Sequence, residues 1–349
     1  MPEERSSQSR PHRTTAVAGG KCMIAGEYSV LLTDGWSLSV TCDAGIVAHA
    51  VPAPKWSVCR ADLSMTWCPG EEVPEPLRFA AAAIEVLQQE GLPPCALETR
   101  LHSPPAIAGS KVGIGGSASS TVSLIAAALG SAQGLTEREN GLDPDEVASL
   151  ALVAHQRAQD GRGSGYDVAS VAHGGVLAWN ASRREAKPLS WPDELHAQLV
   201  YTGMSASTTA LLGRWERAVL PATREETMRD LRESTDAVIA SFQTLHVPDI
   251  LEALRHTQGA LLAFDDAHDL AIVPGDVRAL CDAVHEQGAV ARVSGGGGGD
   301  SLLVFADTAM RLERALRAAE AAGGTALTLN LPAPGVRLIR ANGLAAPLQ

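Results

Sequence analysis

Residues 118–129, ASSTVSLIAAAL, limit most strongly what this chain can fold into. Every side chain in the run is small or apolar and none is charged, so it has no face to offer to water. A helix of that kind is buried on most sides and needs a sheet and further helices around it. Just before it lies a glycine-rich stretch, KVGIGGS at 111–117, preceded by a predicted strand at 97–103. In the order strand, glycine loop, buried helix, backbone N–H groups and a helix N-terminus can hold an anion. Glycine lets the backbone approach without a Cβ clash. Ser117, Ser119 and Ser120 can add hydroxyls for a phosphate or a divalent cation. The spacing matches neither the P-loop pattern nor the dinucleotide fingerprint. Taken alone, the loop reads equally well as a turn that caps a helix.

Three other segments carry chemistry. SGGGGGD at 294–300 lies between predicted strands at 289–294 and 302–305. Five successive glycines are entropically expensive there and point to backbone passing close to a ligand. In AHQRAQDGRGSGYDVASVAHGG at 154–175, Asp167 opens a small-residue helix and His155 lies on the helix before it. Taken alone, Asp167 reads as a helix cap and His155 as a packed or surface histidine. Near the start, Lys21 sits in GGKCMIAGEYSVL, and a lysine among glycines and apolar residues is costly to desolvate without an anionic partner.

The remaining pattern is α+β. A strand is expected at 15–18, turning at Gly19-Gly20, with further strands in 40–53 and at 196–203. Helices are expected at 74–90, 143–159 (Asp143 as N-cap), 222–246, 249–268, 274–287 and 310–322, and final strands near Leu327 and Val336. No internal repeat is visible. With 349 residues, the chain exceeds what one core usually serves, and two lobes are expected to meet near residue 190. The expected division is a disordered leader at 1–13, a first lobe at 14–190 and a second at 191–349. The net charge of -12 argues against a nucleic-acid or anionic-membrane surface. Six scattered cysteines, no apolar leader and no long apolar run place the chain in the cytoplasm as an expectation.

In this order the segments resemble the GHMP kinase family. GKCMIAGEYSVL is similar to its N-terminal motif, KVGIGGSASS to its phosphate loop (usually GLGSSAA) and VARVSGGGGGD to its C-terminal glycine loop (usually SGAGGGD). The 154–175 segment, Lys111 before the loop, YTGMSASTTALL at 201–212 and AVAR before the last loop resemble the branch that phosphorylates phosphomevalonate. The resemblance implies a two-lobed GHMP kinase fold, with an N-terminal ribosomal-protein-S5-like lobe and a C-terminal ferredoxin-like lobe. It also implies an ATP- and Mg²⁺-dependent phosphorylation of phosphomevalonate to diphosphomevalonate, in the mevalonate route to isoprenoids.

The implied roles follow position by position. ATP would lie along Lys111, Gly113, Gly115, Gly116, Ser117, Ala118, Ser119 and Ser120, with Ser117 and Asp167 toward Mg²⁺. Lys21 and Asp167 would be catalytic. An anionic substrate would meet Lys21, Lys111, His155, Ser164, Gly165, Ser207, Thr208, Arg292, Gly296 and Gly297, with Ser205 and Arg162 as further candidates. A phosphate monoester is already largely dianionic near neutral pH, its second pKa being about 6. Asp167 is therefore expected to orient Lys21 or face Mg²⁺ and not to be an obligatory proton acceptor. A basic cleft on an otherwise acidic surface is expected.

Several positions depart from the family pattern. Gly116 and Gly296 replace serine and alanine, and Ser301 stands where cysteine is common. Gly161 and Met204 stand where lysine occurs, which bears on the substrate phosphate contacts. Rival readings are a sibling kinase acting on an alcohol such as mevalonate, a decarboxylase of the same superfamily, and a non-catalytic binding protein of the same fold. Both monomer and homodimer are compatible with the sequence.

Overall fold

β1 is longer than its sequence suggests: it runs Thr14–Ala25 straight through Gly19 and Gly20, where a turn was expected. The computed structural model describes residues 12–102, 112–136, 141–204 and 208–340, so most of the expected leader lies outside the described residues. β1 pairs antiparallel with β2, Trp36–Pro52, and the register jumps: Gly19 lies opposite Gly45, Gly20 opposite Cys42. A Cβ on Gly19 would collide with the Cys42 carbonyl, and one on Gly20 would lie 2.8 Å from Cys42 Sγ. The jump skips Asp43 and Ala44, a bulge in β2 that the two glycines accommodate and that re-aims the side chains that follow. Ala16 and Ala18 belong to the core beneath the helices, whereas Cys22 and Ile24 belong to the core facing the second lobe.

The first lobe continues with β3 (Ser57–Arg60), β4 (Met65–Trp67), α1 (Arg78–Gln89), β5 (Cys95–His102), α2 (Gly116–Gln133) and α3 (Pro144–Arg157). It ends with α4 (Tyr166–His173), β6 (Val176–Asn180) and β7 (Glu185–Leu189). β5 pairs with the second half of β2 and β6 with its first half, while β3 runs parallel to β5. α2 packs on the sheet among the other helices, with Val122, Leu124, Ile125 and Leu129 fully buried. Asp143 caps α3 by accepting a hydrogen bond from the Asp145 N–H at 2.9 Å, as its position in the sequence predicts.

The second lobe begins at β8 (His196–Tyr201), followed by α5 (Thr208–Ala218), α6 (Arg224–Thr227), α7 (Arg229–Thr244), α8 (Val247–His268) and α9 (Gly275–His285). β9 (Val290–Val293), β10 (Ser301–Ala306), α10 (Ala309–Ala321) and β11 (Thr325–Leu327) complete it. The strand order β11-β8-β10-β9, antiparallel throughout, is the ferredoxin-like arrangement with several helices inserted in its first crossover. The helix expected over 222–246 is split at Met228, which leaves helical geometry and is completely buried.

A core between the lobes joins Leu38 and Val40 to Phe242, Leu254, Leu303 and Phe305. Truncating one of these phenylalanines would cost about 3–5 kcal/mol. The chain then returns to the first lobe: β12, Arg337–Leu338, pairs with β1. On the way, the Ala333 N–H donates to Thr41 O and the Val336 N–H to Ala172 O. The last described residues thus complete the first lobe's sheet.

Candidate active site

The glycine loop ends in two left-handed residues, Gly113 and Gly115, with φ of 75° and 80°. α2 starts immediately after, and its first backbone bond runs from the Ser119 N–H to Gly115 O at 3.0 Å. The N–H groups of Gly116, Ser117 and Ala118 therefore have no helical carbonyl to pair with. Gly116 is exposed, and a Cβ there would meet nothing within 4 Å. Ser117 and Ser120 are partly exposed at this end. Ser119 departs from its expected role: it is completely buried, and its hydroxyl donates to Gly19 O at 2.7 Å, tying α2 to β1 opposite the bulge.

Past that bulge, Lys21 turns toward the loop. Its N–H donates to Ile114 O at 2.8 Å, and its Nζ donates to Gly113 O at 3.3 Å. The ammonium also sits 5.1 Å from the centre of the Tyr166 ring, and only 6% of the residue is exposed. Burial disfavours the charged form, but Tyr166 and Asp167 more than offset this and hold the Lys21 pKa above its ordinary value. Lys21 is thus kept as a cation, packed against the loop that would receive an anion.

Three helices converge on a second cluster. His155 Nε2 of α3 lies 3.2 Å from Ser117 Oγ of α2 and 3.6 Å from Asp167 Oδ2 of α4. Asp167 Oδ1 accepts from the Val168 N–H at 2.9 Å. Gly165, with φ 73°, starts α4, and the Ser164 carbonyl accepts from Trp179 Nε1 at 3.0 Å. Ser117 and Asp167 supply hard oxygen donors of the kind Mg²⁺ takes. Mg²⁺ needs only one or two protein ligands when phosphates and waters supply the rest. No group of three or more His, Cys, Asp or Glu side chains suited to holding a metal unaided is found among the described residues. The pair fits the ion on that basis.

The second glycine loop closes over the first. Gly295, Gly297, Gly298 and Gly299 all have positive φ. A Cβ on Gly113 would lie 2.9 Å from Asp300 Cβ, and Ser301 Oγ donates to Val112 O at 2.6 Å. A Cβ on Gly297 would meet Ile272 Cγ2 at 2.5 Å, which is why that position is glycine. Gly296 offers its carbonyl to Tyr28 Oη, which donates at 2.8 Å. Met204 packs near Gly299.

Arg292 is the clearest departure among the expected substrate contacts. Its side chain is completely buried, with Nη2 donating to Glu27 Oε2 at 2.6 Å and Nε to Ile24 O at 3.1 Å. Burial raises the Glu27 carboxyl above the usual carboxylate range, and the guanidinium opposes that shift. The arginine therefore ties the N-terminal motif to β9 and turns no charge to the cleft. Arg162 lies exposed on the turn before α4. Lys111, Ser205 and Ser207 lie outside the described residues, as does the side chain of Thr208. Of the expected basic cleft, the described residues supply Lys21.

Three residues at the site were missed in the sequence. Tyr166 faces Lys21, Glu27 pairs with Arg292, and Tyr28 holds the second glycine loop from a backbone with φ 60°. Glu27 had a usable signal, since an acid inside an apolar run needs a cation elsewhere.

Two glycine loops meeting at a buried lysine, with an aspartate opening the neighbouring helix, are the parts a phosphoryl-transfer site needs. Comparison with known proteins agrees with that class. The chain belongs to the GHMP kinase family: residues 78–175 match the GHMP kinases N terminal domain and residues 247–325 the GHMP kinases C terminal domain. It is similar to the phosphomevalonate kinase of Streptomyces sp. (strain CL190), at 27% identity covering 83% of this chain and 89% of that one. In fold it is similar to the Lin0012 protein from Listeria innocua, with a TM-score of 0.81 at 20% identity over 94% and 99% of the two chains. The Streptococcus pneumoniae phosphomevalonate kinase, solved in complex with phosphomevalonate and AMPPNP, matches with a TM-score of 0.76 at 17% identity over 91% and 99%. Among the described residues no helix is long and apolar enough to cross a membrane.

Proposed function

We propose that this kinase transfers the γ-phosphoryl group of ATP to the phosphate of phosphomevalonate, giving ADP and diphosphomevalonate. The observation that carries the reading is the state of Asp167. One carboxylate oxygen accepts from the Val168 N–H, and the other faces His155, which in turn contacts Ser117; this suits a group that positions others more than a free proton acceptor. A dianionic phosphate needs no base, whereas an alcohol would. The likeness to the Streptomyces phosphomevalonate kinase supports the same acceptor.

In this reading the unpaired N–H groups at the start of α2 hold the nucleotide phosphates. Ser117 and Asp167 would hold Mg²⁺, which when bound would supply positive charge beside the nucleotide phosphates. The Lys21 ammonium, held between Gly113 O and the Tyr166 ring, supplies fixed positive charge where acceptor and γ-phosphate meet. The second glycine loop brings its backbone beside the same space, tied to the first loop by Ser301 Oγ donating to Val112 O.

The test is ADP release by the purified protein with ATP and Mg²⁺, offering phosphomevalonate and mevalonate in parallel. Turnover with phosphomevalonate alone is expected. Turnover with mevalonate alone would overturn the acceptor and return Asp167 to proton acceptance. Nucleotide binding without turnover on either would favour another acceptor or a non-catalytic role.

A further inference from the structure

His155 was expected to touch substrate, but its surroundings assign it a different task. The residue is 3% exposed, and its ring lies against Phe79 of α1, with centroids 4.8 Å apart and planes at 31°. That contact fixes the ring plane. The same nitrogen, Nε2, faces both Ser117 Oγ at 3.2 Å and Asp167 Oδ2 at 3.6 Å. With a hydroxyl at 3.2 Å and a carboxylate oxygen at 3.6 Å on this edge, both able to accept, the Nε2–H tautomer suits the geometry. A hydroxyl oxygen that accepts from Nε2–H keeps a lone pair for a cation.

We propose that His155 is a positioning residue that holds Ser117 Oγ and Asp167 Oδ2 as a preformed pair for the divalent cation accompanying the nucleotide. The proposal rests on the phosphoryl-transfer reading above, but not on which acceptor is used. Its physical logic is that of outer partners at metal centres, which orient the ligands before the ion arrives. Without the imidazole, the Ser117 hydroxyl would be free to rotate and to bond elsewhere along the first turn of α2. The Asp167 carboxylate, already held by the Val168 N–H, would lose the imidazole edge that lies 3.6 Å from its other oxygen. The histidine needs no contact with the acceptor to affect the rate.

The variants are His155→Leu, which removes the donor, and His155→Gln, which can bring an amide N–H near the position of Nε2. The first measurement uses Mn²⁺ as the probe: electron paramagnetic resonance of Mn²⁺ binding to the full chain with ADP, which requires no turnover. The second is the Mg²⁺ dependence of the rate, with KM for the acceptor determined at saturating Mg²⁺. Loss of the donor is expected to weaken Mn²⁺ binding about 10- to 100-fold, with the Mg²⁺ requirement rising in step. KM for the acceptor should stay unchanged, and His155→Gln should recover much of the loss.

Unchanged Mn²⁺ affinity in the leucine variant, or a raised acceptor KM with the metal requirement unaltered, would overturn the proposal. If the leucine variant does not fold, the glutamine variant decides: Mn²⁺ affinity close to that of the parent chain supports the donor role, and a full loss refutes it. Mn²⁺–ADP binding by the parent chain without turnover of phosphomevalonate would count against the acceptor only.

Discussion

Arg292 and Glu27 form a 2.6 Å ion pair with side-chain exposures of 0% and 2%, joining the N-terminal motif to the strand that leads into the second glycine loop. Breaking one side strands a buried charge, so Arg292→Met is expected to destabilise the protein by about 3–5 kcal/mol in urea unfolding. Replacing both residues, Arg292→Met with Glu27→Leu, should recover most of that loss. Equal losses in the single and double variants would mean that the pair's charge is not what matters. Arg292→Lys should cost less than Arg292→Met, since it keeps the charge and loses the fork that also reaches Ile24 O.

Lys21→Met keeps the length and packing of the side chain while removing the charge. Turnover is expected to fall by about 10²–10³ or more, by analogy with deleting one electrostatic donor at a reacting centre. Binding of ADP should be affected much less, because the helix N-terminus remains. Steady-state rates and calorimetric ADP binding on the same preparation separate the two effects.

Gly115→Ala tests how closely loop and lysine are fitted. Its φ of 80° strains any L side chain by roughly 1–2 kcal/mol, and the new methyl would lie 2.9 Å from Lys21 Cε. A small fall in melting temperature with a much larger fall in kcat is expected. If the rate survives, the lysine can reposition freely.

Acid should weaken the fold before it protonates carboxylates. His49, His173 and His285 are each part-buried, and burial holds their pKa values below the ordinary 6.5. In the unfolded chain they protonate near 6.5, while the folded protein resists. Their contribution is therefore fully present above about pH 6.5 and is lost as pH falls toward the lower folded values. Urea midpoints are expected to drop between pH 7.5 and 5.5, and His173→Asn should flatten that drop. A midpoint that stays level, or a drop unchanged by the substitution, would contradict this.

The acid side of the activity profile has a different expected origin. With a phosphate acceptor, kcat/KM should fall below about pH 6 as the acceptor gains a proton. Asp167→Asn should lower the whole curve and leave that limb in place. Removal of the limb by the substitution would make Asp167 the titrating base.

How much of this was legible beforehand depended on whether the signal was local. The α2 helix, the Asp143 cap and both glycine loops follow from neighbouring residues and could be read directly. Gly19-Gly20 was misread because a turn and a strand facing a bulge use the same residue, and only the partner strand decides between them. Ser119 could not be told from Ser117 by type or spacing. What separates them is the Gly19 carbonyl, a hundred residues away in the chain. Arg292 looked like a cation for substrate because its partner, Glu27, lies 265 residues earlier. A local window shows that Glu27 needs a cation, but not that Arg292 supplies it.

The return of β12 to β1 has a consequence for biosynthesis. The strand that carries Lys21 borders an open sheet edge until residues 337–338 have been made. Through most of translation, that edge presents unpaired backbone groups able to recruit a foreign strand. The first lobe is therefore finished last, and a chain stalled within α10 would carry both glycine loops on a scaffold still open to aggregation.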